Sequence, residues 1–238
     1  MEQLSASLHA ITPGMATKQQ TSAPLKFRVA RQTIVPSTPA VPKAPQGRLN
    51  FHQAMYEDDS LEVTVQPFAG MAGQSITVTW TGPFAAWTSP AQVVDNPRAL
   101  SFQVPRLEVI DAIGGAVRIH CTVNGTIESS AYSLTIDPQL INLPAPRFYP
   151  QEGEPTAAVS LLYNEQVTGH SGRVRWYLDY QLYWESEEQH LETGEAEYFQ
   201  VPRSVVTASR GKVAMIDYTI LRRSGEQLQF SRMLRQQF

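Results

Sequence analysis

The feature that most constrains this chain is an internal repeat. Phe102-Gln103-Val104-Pro105-Arg106 recurs as Phe199-Gln200-Val201-Pro202-Arg203, 97 positions on. At the same offset Gly114 meets Gly211, Ile119 meets Ile216, Cys121 meets Tyr218 and Val123 meets Ile220. Upstream, Gly73–Trp80 is echoed more loosely by Gly172–Trp176. An identical pentapeptide with matched apolar positions behind it indicates two copies of one structural unit. The proline-rich stretch Leu143-Pro144-Ala145-Pro146 lies between the copies and reads as their linker.

The units are β in character. Ile76, Val78 and Trp80 alternate with Thr77 and Thr79. Val117, Ile119, Cys121 and Val123 alternate with Arg118, His120 and Thr122. Tyr132, Leu134 and Ile136 alternate with Ser133 and Thr135. Period two places one face of each strand in a core and the other in water. Asn124-Gly125 between two of these runs is a hairpin signal, because a type I′ turn needs positive φ at both central residues. No long stretch has helical periodicity; Leu4–Ile11 comes closest and is too short to stand alone. Each copy has room for about seven short strands, and two sheets face to face bury that many one-sided strands. The fold expected is all-β: two tandem immunoglobulin-like β-sandwiches, over 57–140 and 141–238.

Residues 1–56 differ. They hold six prolines (13, 24, 36, 39, 42 and 45), six basic residues and one acidic residue. Proline fixes φ and lacks an N–H, so this stretch reads as an extended, Pro-rich, basic N-terminal arm, with one short strand at Leu25–Val29. Overall the 238 residues carry a net charge of −3, which gives no reason to expect nucleic acid. With 42% hydrophobic and 17% charged residues the chain is apolar enough for a packed core. No apolar run is long enough for a membrane-spanning helix, and the first nine residues predict no cleavable secretory signal. That leaves the compartment open between the cytoplasm and export without a cleaved signal. Cys121 is the only cysteine, so an intrachain disulfide is excluded.

The linker, Pro67-Phe68-Ala69-Gly70-Met71 ahead of Gly73, Trp80-Thr81-Gly82, the Phe-Gln-Val-Pro signature and Ser133-Leu134-Thr135-Ile136 together resemble the tandem immunoglobulin-like repeats of large bacterial repeat proteins. The likeness spans most of 35–238. It is weaker in the second copy, which lacks the Trp-Thr-Gly segment and carries an acidic insert. The resemblance implies a modular adhesive or scaffolding role and no catalytic residues.

Two clusters are candidate sites, both in the second copy. Trp176, Tyr177, Tyr180, Tyr183 and Trp184 fall within nine residues. In an extended run Trp176, Tyr180 and Trp184 share one parity, while Tyr177 and Tyr183 share the other. One set fills a core and the other offers Tyr side chains as interface anchors. The acidic run follows, with Glu185, Glu187, Glu188, Glu192, Glu195 and Glu197 around His190. A cation site needs carboxylates converging on one point; a solvated loop or guarded sheet edge does not. The five histidines lack metal-ligand spacing, and His120 and Cys121, adjacent on a strand, point to opposite faces. Asn124-Gly125-Thr126 fits a glycosylation sequon but reads as the hairpin turn.

These observations predict a non-enzymatic protein-interaction or structural module that needs no cofactor or metal. Its binding residues are Tyr177, Tyr183, Glu185, Glu187 and Glu188, and its partner is another protein. A glycan-binding adhesin using the tyrosine face is the alternative, followed by a toxin or enzyme using the acidic insert at 185–197.

Overall fold

Strand formation follows the period-two pattern. The computed structural model describes residues 33–150, 156–161, 169–192, 196–222 and 226–238. The chain divides into units Met1–Thr33 and Ile34–Phe238, and every element described lies in the second. The first half of that unit holds β1 (Arg48–Leu49), α1 (Phe51–Ala54), β2 (Ser60–Val65), β3 (Ser75–Thr81), β4 (Ala86–Thr88), β5 (Gln92–Val93), β6 (Leu100–Pro105), α2 (Arg106–Asp111), β7 (Ala116–Val123), β8 (Ile127–Glu128) and β9 (Tyr132–Ile136). One sheet runs β1-β9-β7-β3-β4, with β5 on β3 and β8 on β7; β2 and β6 form the other. Ile76, Val78 and Trp80 of β3 meet Val117, Ile119, Cys121 and Val123 of β7 in a core with Leu61, Val63 and Val65 of β2. The chain's entry is shared between the sheets: Ala40 bridges Thr64 of β2, and β1 runs parallel to the last strand β9. This is an immunoglobulin-like sandwich.

The second half repeats it with β10 (Arg147–Tyr149), β11 (Thr156–Leu161), β12 (Ser171–Leu178), β13 (Gln181–Glu185), β14 (Gln189–His190), β15 (Glu197–Pro202), α3 (Arg203–Ala208), β16 (Val213–Leu221), β17 (Gln229–Phe230) and β18 (Leu234–Gln237). One sheet is β10-β11-β15. The other runs β13-β12-β16-β17, with β14 on β12 and β18 on β16. Its core gathers Val159, Leu161, Val174, Trp176, Phe199, Val201, Ile216, Tyr218 and Ile220.

The 97-residue offset is kept in three dimensions. β6, α2 and the start of β7 map onto β15, α3 and the start of β16 without a gap. Pro105 and Pro202 switch strand to helix with the same backbone, φ −57 ψ 140 and φ −56 ψ 140. Gly114 and Gly211 both follow the helix at positive φ, 77° and 74°. Trp80 and Trp176 pair with the equivalent Ile119 and Ile216. The loose match of Gly73–Trp80 with Gly172–Trp176 is thus a match of core tryptophans, and what the second copy lacks of Trp-Thr-Gly is the Thr-Gly after it. Asn124 and Gly125 form the expected type I′ turn, closed by Thr126 N–H donating to Val123 O at 3.1 Å.

The structure corrects the arm. Its boundary at residue 56 is set too late, because Val41, Ala44, Leu49, Phe51 and Met55 are buried in the first core. Their spacing between prolines leaves room for β1 and α1, and Asn50 caps α1 by accepting from Gln53 N–H at 3.1 Å. Lys43 and Arg48, counted as arm charge, pair with Asp58 and Asp137 of the first sandwich. The Leu25–Val29 strand and Leu4–Ile11 lie outside the described residues. The short helices α1, α2 and α3 also escape sequence reading, being four to six residues long. None of the described helices is long and apolar enough to cross a membrane. Nor is Leu143–Pro146 an open linker throughout, since Leu143 is buried in the second core.

One difference between the copies is testable. Trp176 Nε1–H donates to Ser209 Oγ at 3.0 Å, and that hydroxyl donates to Val205 O at 2.9 Å. At the same offset the first copy has Ala112 and Glu108, and Trp80 Nε1 is buried without a partner among the described residues. Ala112→Ser therefore gives Trp80 an acceptor and is expected to raise unfolding stability by about 0.5–1.5 kcal/mol in urea denaturation. A loss of stability would show that the Ser209 geometry cannot be built in the first sandwich.

Candidate interaction surface

The second sandwich uses its two large faces differently. In β16 Ala214, Ile216, Tyr218 and Ile220 face its own core, while Met215, Asp217 and Thr219 face outward and are also buried. The cover is the first sandwich. Tyr177, Met215, Phe230 and Met233 belong to the first core cluster rather than the second.

Phe230 is the wedge of this joint. Its ring packs against Phe51 at 5.3 Å and against Tyr56 and His52 at 6.1 Å each. The Arg106 guanidinium lies 5.5 Å from its centroid and that of Arg175 5.2 Å, both favourable cation–π placements. Main-chain contacts lock the same point: Phe230 N–H donates to Gln139 Oε1 at 2.9 Å and Leu228 N–H to the Tyr56 hydroxyl at 3.2 Å. Arg175 in turn forks onto Asp217, whose side chain is wholly buried. Burial pushes the Asp217 carboxyl up, against the opposing pull of Arg175.

A second charged group closes the other side. The α2 residues Glu108 and Asp111 are buried at 3% exposure, where unpaired carboxylates are costly. Arg235 pairs with both. Tyr180 Oη–H donates to Glu108 Oε1 at 2.8 Å, and Met233 N–H to Asp111 Oδ1 at 2.9 Å. Burial and then the Glu108 hydrogen bond raise the Tyr180 hydroxyl's pKa, so it stays a donor.

Against this frame the five sequence-predicted site residues separate. Tyr177 is only 8% exposed and belongs to the joint, with Arg175 over its ring at 5.7 Å. It is not a surface anchor: its strand is covered on both faces, which parity within one strand cannot reveal. Glu185 and Glu188 converge, but on Arg173, each at 3.1 Å. Glu188 also accepts from Ser171 Oγ–H, and this bond, then Arg173, holds its carboxyl below the usual range. Their charge is thus met by a guanidinium, and no group of three or more metal-ligating side chains occurs among the described residues. Glu187 stands exposed and apart from that fork.

Tyr183 is the predicted residue left outside, with Leu182 beside it, at 52% and 53% exposure. The aromatic run is not one extended strand. Asp179 and Tyr180 take positive φ, 51° and 63°, and fold β12 back into β13. Trp176 pairs with Trp184 and Tyr177 with Leu182, so Tyr183 is the extra residue of a β-bulge. The bulge breaks the parity count, and among the described strands β13 pairs with β12 alone, at the sheet's edge. A bulged edge is poor at accepting another strand, while it turns a side chain outward.

Sequence reading missed a second aromatic pair. Tyr149 of β10 and Tyr198 of β15 flank β11 on the outer face of the three-stranded sheet, ring centroids 6.1 Å apart, above Ala158 and Ser160. Phe199, buried in the core, gives the parity that puts its neighbour Tyr198 outside.

No family model and no curated protein matches this chain. Among solved structures, the human OSCAR ligand-binding domain is 14% identical, covering 85% of this chain and all of that one, with a TM-score of 0.26.

The buried ion pair gives a direct test. Asp217→Ala leaves Arg175 uncompensated in the joint and is expected to cost about 3–5 kcal/mol. Arg175→Met with Asp217→Leu removes both charges and should recover most of that loss. Equal losses in the single and double variants, measured by denaturant unfolding, would show that packing rather than charge is at stake.

Proposed function

We propose that this chain is a non-enzymatic binding module that docks another protein on the β12–β13 hairpin of its second sandwich. The observation that carries this reading is the pair Leu182 and Tyr183, both more than half exposed on a hairpin held by its own turn. That turn is itself fixed, because Tyr180 in it is bonded to Glu108 of the first sandwich. Large side chains presented on a rigid support lose little conformational entropy on binding. Further along the same hairpin the Arg173 fork with Glu185 and Glu188 adds a charged patch beyond this apolar anchor. The bulge at Tyr183 favours docking by side chains over strand addition. The resemblance to bacterial tandem repeats accords with an adhesive or scaffolding role.

A glycan is the second reading. It draws on Tyr149 and Tyr198, a tilted aromatic pair with Arg147 on the same face. The acidic insert lends catalysis no support, since Glu185 and Glu188 already oppose Arg173.

Comparative affinity capture from the native source separates these readings. Leu182→Asp with Tyr183→Ala is expected to lose the specific protein partners held by the unaltered chain, while Tyr149→Ala with Tyr198→Ala keeps them. The reverse pattern, or glycan-array binding lost only with the second pair, would replace the hairpin reading with the sugar-binding one.

A further inference from the structure

Side chains at the joint between the sandwiches, among them Arg106 through its Nε and His52 through both ring nitrogens, hold buried polar atoms without a partner among the described residues, and of these two His52 titrates near neutral pH. His52 lies in α1, with its ring 5.7 Å from Tyr56 and 6.1 Å from Phe230, both at a shallow tilt, and edge-on to Phe51 at 5.6 Å. Both ring nitrogens are shielded from solvent and neither has a hydrogen-bond partner among the described residues. A neutral imidazole offers one donor and one acceptor; a protonated one offers two donors and a charge. The site supplies nothing to meet the second form.

The charged and titratable groups around it make this plain. From α2, Arg106 carries the same sign as a protonated ring and stacks on Phe51 and Phe230, the rings His52 touches. From β12, Arg175 lies over Phe230 and is held by Asp217 of β16. Tyr56 already receives the Leu228 N–H. The nearby α2 carboxylates Glu108 and Asp111 are committed to Arg235 of β18. Gln227 reaches the backbone oxygen of His52 and not its ring.

We propose that His52 makes the joint pH-sensitive: protonating its ring in mildly acidic solution loosens the seat of Phe230 and lets the two sandwiches part. Burial, and then the Arg106 charge, lower the ring's pKa from its ordinary value. Parting the joint returns the ring to water and to that ordinary value, about 6.5. The opened state therefore binds more protons. Stabilisation of the closed joint is complete above about pH 6.5 and declines as pH falls below it. Opening also bares the Tyr177, Met215 and Phe230 face, which the first sandwich covers in the closed form.

Hydrogen exchange of the Leu228 and Phe230 amides reads the joint directly, because both donate across it. In the full chain, exchange corrected for its intrinsic pH dependence should rise as pH drops from 7.5 to 5.5. The limit for one proton is about tenfold per pH unit. His52→Phe and His52→Gln should each flatten that rise. Corrected exchange independent of pH, or an equal rise in both variants, would overturn the proposal, the latter by moving the effect to the carboxylates. The His52 ring signal, followed by NMR in the unaltered chain, needs no variant: titration below 6.5 supports the proposal and titration at or above it refutes it.

Discussion

A strand buried on both faces cannot carry a bare charge, and β16 carries Asp217 at its middle. One half of the junction between the two sandwiches is arranged around that carboxylate. Arg175 on the neighbouring strand meets it with a two-pronged contact. The guanidinium's own flat face then needs cover, and Phe230 supplies it. Phe230 is in turn enclosed by Phe51, Tyr56 and Arg106 of the first sandwich. Charge neutralisation, cation–π stacking and apolar burial thus form one chain of dependence from strand to strand and from sandwich to sandwich. Such pairs add little net stability compared with apolar packing, but removing one member is severe. Their effect is to fix how the two faces register.

The equivalent place in the first sandwich shows what the second has gained. Arg175 and Asp217 are cross-strand partners, and the matching partners in the first copy are Thr79 and His120. Around them stand Thr77, Thr81, Arg118 and Thr122, none of them buried. One copy keeps a polar outer face suited to water, and the other has traded it for Tyr177, Met215 and Asp217. The two sandwiches share a backbone plan and differ in which face they hide.

That difference explains what the sequence disclosed. The period-two runs, the Asn124-Gly125 turn and the 97-residue repeat are local signals, and the structure carries all three. In Val213–Leu221 the matched positions Ile216, Tyr218 and Ile220 give one buried face, while burial of the second face depends on a neighbour more than a hundred residues away. For the same reason parity alone places Tyr177 at the surface, where the structure buries it. Tyr180 and Tyr183 escaped a parity count because a turn of two non-glycine residues and a bulge interrupt the run, and neither has a compositional marker. The acidic insert was legible as charge but not as a fork on Arg173, which lies on the facing strand. Residues 40–56 were hidden behind their prolines, although Val41, Leu49, Phe51 and Met55 supply apolar side chains that a solvated arm would not need.

The shared cluster also governs how the molecule comes apart. Beads on a flexible string give way one at a time, each with its own threshold. Here Tyr177, Met215, Phe230 and Met233 of the second sandwich are core residues of the first, so melting either strips apolar cover from the other. Unfolding of the two is accordingly coupled, because the first loses part of its core and the second the cover of its outer face when the other melts.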